Sequence, residues 1–189
     1  MDRRFPTTAH IVWQRRDSPG AEWCEVDRSG TGTRISGVAV VAIETVPYRV
    51  DYSVELDDEG RTRLARVTSA GSDGTRVVAL TADGSGTWRR EGEALFDGPD
   101  LLDVDLGFSP VTNSLPIWRL GLAVGERREI GVAWVLFPEM EVVSGRQSYE
   151  RVGELTYVYR SEGFEARLRT YSDGLVERYA DLFQAVAHE

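Results

Sequence analysis

"YRVDYSVEL", residues 48–56, decides the fold class. Tyr48, Val50, Tyr52, Val54 and Leu56 fall on one side of a period-two repeat; Arg49, Asp51, Ser53 and Glu55 fall on the other. Successive side chains of an extended strand point to opposite faces, so this alternation predicts a strand with one apolar and one polar face. The same rhythm runs outward in both directions. "TRISGVAVVAIE" (33–44) is a long β-branched run, and "HIVWQRR" (10–16) and "EWCEV" (22–26) flank the turn "DSPGA". Downstream, "DDEG" (57–60), "SDG" (72–74) and "DGSG" (83–86) punctuate further short runs, continuing through "REIGVAWVLFP" (128–138) to "GLVERYA". Roughly twelve to fourteen strands at this spacing predict an all-β barrel or sandwich. Only "ADLFQAVAHE" (180–189) has helix-forming composition, so a short C-terminal helix is expected there.

The chain has 189 residues, 41% hydrophobic and 28% charged, enough for one domain spanning 1–189 with its own core. All 22 basic residues are arginine and the formal net charge is −9, a field that repels nucleic-acid phosphates and anionic membrane surfaces. No basic run exceeds two residues, so no nucleic-acid partner is expected. The N-terminal segment lacks an apolar leader and no window reaches the roughly 18–20 apolar residues of a spanning helix, so neither a membrane anchor nor export is expected. A single cysteine, Cys24, fits a reducing compartment, and the expected location is the cytoplasm.

Catalytic chemistry is sparse. His10 and His188 are the only histidines, and neither has metal-ligand spacing to the other or to Cys24. "SGTGTR" and "DGSGTW" lack a following helix, so they read as hairpin turns and not as phosphate loops. No metal or cofactor is expected. Asp103 and Asp105 are two apart on a strand, with α-carbons roughly 6.5 Å apart on one face. They are a solvated pair, turn-holding groups, or an acid–base pair of an enzyme acting on a small amphiphile.

"GVAWVLF" is apolar on both faces, which demands a second partner: another sheet, a helix or a ligand cavity. In "DLLDVDLGFSPVTNSLPIWRLGL" (101–123), Pro110 and Pro116 predict a stiff polar loop followed by resumed alternation. There Arg119 could pair with Asp103 or Asp105, either to hold the loop or to offer polar contacts at the rim of a cavity.

The stretch "DVDLGFSPVTNSLPIWRLGL" (103–122) closely resembles the core motif of the bacterial family named "putative glycolipid-binding". "VW" (12–13), "GAEWC" (20–24), "RTRLARV" (61–67), "GTWRREGE" (86–93), "VAWVLFPEMEV" (132–142), "QSY" (147–149) and "SDGLVERYADLF" (172–183) extend the resemblance over nearly the whole chain. Trp118 stands where the family pattern has an arginine, and Ala180 where it has proline. The resemblance implies a largely antiparallel barrel or half-barrel, similar to lipoprotein carriers, and no catalytic residues. The expected function is therefore to hold the acyl chain of a glycolipid or similar amphiphile in an apolar cavity lined by "VAWVLF" and the 48–56 face. Asp103, Asp105, Asn113, Trp118, Arg119, Trp134, Trp88 and Trp13 are the candidate ligand-binding residues. A ligand-free interaction scaffold is the remaining alternative.

Overall fold

In the computed structural model, residues 7–72 and 74–189 are described. The expected lack of a leader at residues 1–6 and the Asp73 turn position lie outside them. The N-terminal half forms β1 (Thr8–Arg15), β2 (Gly20–Asp27), β3 (Thr33–Ile43), β4 (Val46–Leu56), β5 (Thr62–Gly71), β6 (Gly74–Ala82), β7 (Thr87–Arg90) and β8 (Glu93–Asp97). After β9 (Leu101–Leu106) comes helix α1 (Val111–Leu120). Then follow β10 (Arg127–Val135), β11 (Val142–Gly153), β12 (Thr156–Ser161), β13 (Phe164–Thr170), β14 (Val176–Tyr179) and β15 (Phe183–His188).

The fifteen strands among the described residues belong to one sheet, ordered β8 to β1, then β15 down to β9. Two meanders are thus joined where β1 pairs with β15, Ile11 opposite His188 and Arg15 opposite Phe183. Every pairing is antiparallel except β9 with β10, and a parallel pair needs a crossover, which α1 supplies. The sheet curls into a nearly closed barrel. At the seam, Val104 N–H donates to Thr62 Oγ1 on β5 (3.1 Å) and the Trp88 indole of β7 donates to Leu101 O of β9 (2.7 Å).

β4 keeps the predicted alternation, with Tyr48, Val50, Tyr52, Val54 and Leu56 all buried. The two-sided apolar strand is also explained. On β10, Ala133 and Val135 join one core cluster while Ile130 and Val132 join a second, formed with Tyr149, Tyr157, Tyr159 and Leu168. α1 lies between the two, giving Val111 and Leu115 to the first and Ile117 to the second. The interior faces expected to line an acyl cavity are therefore packed against side chains and this helix. That corrects the expectation of a hollow behind "VAWVLF" and residues 48–56.

Two local expectations are also corrected. Residues 111–120 form a helix and not a stiff loop running into a strand. Pro110 precedes the first turn and Gly121 ends the helix in a left-handed conformation (φ 55°), the Pro-then-Gly asymmetry that suits helix ends. Every residue from Val111 to Ile117 is buried, so tertiary enclosure outweighs Pro116 inside the helix. Conversely, the C-terminal segment is strand β15, not a helix. Its backbone fills the gap between β1 and β14, two edges that a helix would leave unpaired. Among the described residues no helix is long and apolar enough to cross a membrane.

Candidate functional site

β9 aims Asp103 and Asp105 at α1, and the helix answers each differently. Arg119 Nε and Nη2 donate to Asp103 Oδ1 (3.1 Å) and Oδ2 (2.5 Å), a fork on a fully buried carboxylate. Burial pushes the Asp103 carboxyl above the ordinary carboxylate range, and the Arg119 fork opposes that shift. Two turns earlier on the helix, Thr112 Oγ1 donates to Asp105 Oδ1 (3.2 Å) and accepts the Leu106 N–H (3.1 Å). Gln147 Nε2 on β11 donates to Asp105 Oδ2. The network continues inward, with Asn113 Nδ2 donating to the Tyr149 hydroxyl at 2.9 Å. Burial pushes Asp105 up to about 6, against its bonds from Gln147 and Thr112.

Asp105, Ser109 and Asn113 form the floor of a cleft of about 260 Å³. Trp134, Tyr159, Phe164, Tyr179 and Phe183 wall it, and Arg15, Asp17 and Glu162 stand around it. Four of these rings pack on one another, Tyr159 lying 6.1 Å from Phe164 and 5.9 Å from Tyr179, and Tyr179 lying 6.2 Å from Phe183. Arg15 Nη2 is held at 2.9 Å by Asp17 and the guanidinium lies over the Phe183 ring at 5.0 Å, while its Nη1 is buried with no hydrogen-bond partner among the described residues. Burial raises Tyr159 and Tyr179, so both keep their hydroxyl protons. The Trp134 Nε1–H is buried with no hydrogen-bond partner among the described residues. Gly107 keeps its surroundings open, because a Cβ there would come 3.1 Å from that nitrogen.

Beneath the cleft lies a group the sequence reading missed. Glu22 on β2 is 1% exposed, and its Oε1 accepts hydrogen bonds from the Tyr52 hydroxyl and from Ser109 Oγ (2.5 Å). Burial pushes its carboxyl up to about 7. The signal was present: Glu22 shares the inward face of β2 with Cys24 and Val26, a charge at an apolar position of an alternating strand. Arg15, Tyr159, Phe164, Tyr179 and Phe183 were also missed, because nothing local in sequence brings β1, β12, β13, β14 and β15 to one cleft.

The candidates chosen from sequence do not share one site. Asp105, Asn113 and Trp134 meet at the cleft. Asp103 and Arg119 are tied to each other, so the two aspartates do not present a free acid–base pair, which corrects that alternative. Trp118 and Arg119 border a separate, open hollow with Thr31 and Asp58. The Trp118 indole donates to Asp173 O (2.8 Å) beneath the Arg28 guanidinium, 4.6 Å away. Trp13 and Trp88 are corrected to core residues: both are fully buried, with indoles donating to Val176 O and Leu101 O at 2.7 Å. Cys24 is buried and its thiol is pushed up by burial, so it is not poised as a thiolate.

A family model described as "Putative glycolipid-binding" matches residues 10–185. The crystal structure of a DUF1089 family protein from Pseudomonas aeruginosa is 36% identical, covers 86% of this chain and 91% of its own, and superposes with a TM-score of 0.77. A β-barrel-like protein of a domain of unknown function, DUF1849, from Brucella abortus is 9% identical, covers 96% of this chain and 95% of its own, and has a TM-score of 0.48. No curated protein matches the chain.

Proposed function

Because the chain belongs to the "Putative glycolipid-binding" family, we propose that its cleft receives the ring-bearing headgroup of a glycolipid-like amphiphile. One observation carries the reading: an aromatic wall meets a floor that offers an acceptor, Asp105, and the wall itself carries a buried donor, Trp134 Nε1–H, with no hydrogen-bond partner among the described residues. A sugar ring has the matching surface. Its C–H faces lie on aromatic rings and its hydroxyls both donate and accept. An unpartnered buried donor costs free energy until something pairs with it, which favours a ligand bearing an acceptor at that point.

The cleft of about 260 Å³ lies just below the roughly 300–1,000 Å³ of common small-molecule pockets, enough for one ring and not for a whole lipid. The acyl portion then leaves across Phe164, which is 40% exposed, and Leu182. A headgroup of about twelve heavy atoms contributes roughly 3.6 kcal/mol at ~0.3 kcal/mol per atom. Four methylenes against the rim add about 3 kcal/mol, giving a dissociation constant on the order of 10 μM.

Titration with octyl β-glucoside, followed by chemical-shift mapping, tests this reading. Shifts should centre on Trp134, Tyr159 and Tyr179, and Asp105→Ala should weaken binding about tenfold, the loss of one charge-assisted hydrogen bond. No binding, or binding indifferent to Asp105→Ala, overturns the reading. Solvent extraction of the natively purified protein and mass spectrometry of the extract would identify the lipid it carries.

A further inference from the structure

We propose that Ser109 and Glu22 form a nucleophile–base pair that cleaves carboxylic esters entering the cleft. The inference goes beyond the binding reading and needs only that the cleft admit an ester. Its geometry is that of an activated serine: Ser109 Oγ donates to Glu22 Oε1 at 2.5 Å, and the Tyr52 hydroxyl donates to that same oxygen. Glu22 and Ser109 are 87 residues apart, so the fold and not local sequence assembles the pair. Glu22 Oε2 is buried without a hydrogen-bond partner among the described residues, and Ser109 itself lines the cleft.

Two further features suit charge developing at that point. Ser109 stands just ahead of α1, and the Val111 N–H donates to its Oγ (3.2 Å), so the positive end of the helix faces the oxygen that becomes nucleophilic. Two buried donors on the same cleft have no hydrogen-bond partner among the described residues, Trp134 Nε1–H and Arg15 Nη1, and both are available to an oxyanion. Burial brings Glu22 to about 7, where a base is partly ionised at neutral pH and still strong enough to take a proton. Its titratable neighbours are Arg15 from β1, Cys24 from β2 and Tyr52 from β4. Neither histidine takes part: His10 pairs with Glu25 at 3.1 Å and His188 with Asp173 at 3.0 Å.

In the first half-reaction Ser109 Oγ bonds to the ester carbon, its proton passes to Glu22, and the carbonyl electron pair moves to oxygen. Collapse breaks the ester C–O bond, and the departing alcohol takes the proton from Glu22. Water then adds to the acyl carbon and gives its proton to Glu22. The acyl–Oγ bond breaks, and Ser109 regains a proton as the carboxylic acid leaves.

The test incubates the full chain with a fluorophosphonate probe and, separately, with p-nitrophenyl acetate, and maps adducts by intact-mass and peptide mass spectrometry. One adduct per chain on Ser109 is expected, forming at a rate that rises with pH through about 7. Glu22→Gln should slow it about 100-fold or more. If that variant does not fold, the wild-type pH profile decides. No adduct, an adduct elsewhere, or an adduct at Ser109 whose rate is flat through that range overturns the inference. Octyl glucoside binding without an adduct removes the ester chemistry and leaves the binding reading intact; an adduct at Ser109 without glucoside binding does the reverse.

Discussion

Arg119 grips Asp103 through two hydrogen bonds, Nε at 3.1 Å and Nη2 at 2.5 Å, and so fastens the last turn of α1 to the edge strand β9. The Asp103 side chain is fully buried and that of Arg119 is 13% exposed, so water replaces neither partner well. Arg119→Ala strands a buried carboxylate and should destabilise the fold by about 3–5 kcal/mol in urea denaturation. The Asp103→Ala, Arg119→Ala double variant should lose less than the two single losses added together. A strictly additive cycle would show that the pair does not act as a unit.

Stability should fall as pH rises from mildly acidic to slightly alkaline. An unfolded glutamate titrates near 4.5, whereas Glu22 in the fold titrates at about 7. Between those values the native state keeps a proton that the unfolded chain has released, so rising pH favours unfolding, by about 3 kcal/mol across the window. Asp105, lifted from 3.8 to about 6, acts with the same sign at lower pH. Glu22→Gln should flatten the upper part of the profile, because a glutamine oxygen still accepts from Tyr52 and Ser109 and carries no charge. Urea unfolding of both proteins at pH 5 and pH 8 checks the difference. Equal pH slopes would contradict the assignment.

Removing residues 183–189 should abolish cooperative folding. β15 is a central strand, paired on one side with β1 and on the other with β14. Without it both neighbours expose unpaired edges in the middle of the sheet, an open template for self-association. Loss of a sharp thermal transition and growth of aggregates in size-exclusion chromatography are expected. A truncated chain that still melts cooperatively as a monomer would show that the two meanders fold independently.

The β class was legible because period-two alternation survives in strands such as β4, where one face meets the core and the other faces outward. It failed where enclosure overrides local pattern. α1 is buried all round through Ile117, so it shows no amphipathic stripe, and its only local marks were Pro110 before it and Gly121 after it. β15 carries helix-forming composition but has two strands to join. At the site, Asp105 and Asn113 stood out as polar residues in an apolar segment. Glu22 was masked because acidic residues are common in exposed strand positions, and only its phase relative to Cys24 and Val26 marked it as inward.

Gly107→Ala should separate the cleft's depth from its chemistry. The added Cβ would sit 3.1 Å from Trp134 Nε1 and 3.1 Å from Val135 O. The second of these is backbone in β10 and yields little, so strain of about 1 kcal/mol is expected in denaturation. The first is the buried N–H proposed to meet a ligand hydroxyl, and crowding it should weaken octyl glucoside about tenfold. Asp105→Asn, by contrast, leaves the cleft's shape intact and removes a charge, so its binding loss should shrink below pH 6, where the wild-type carboxyl is itself protonated. The Gly107→Ala loss should persist at every pH, since no titrating group was changed. Calorimetric titrations at pH 5 and pH 8 distinguish the two. A pH-dependent Gly107→Ala defect would mean that the substitution acts by displacing Asp105 rather than by closing the space beside Trp134.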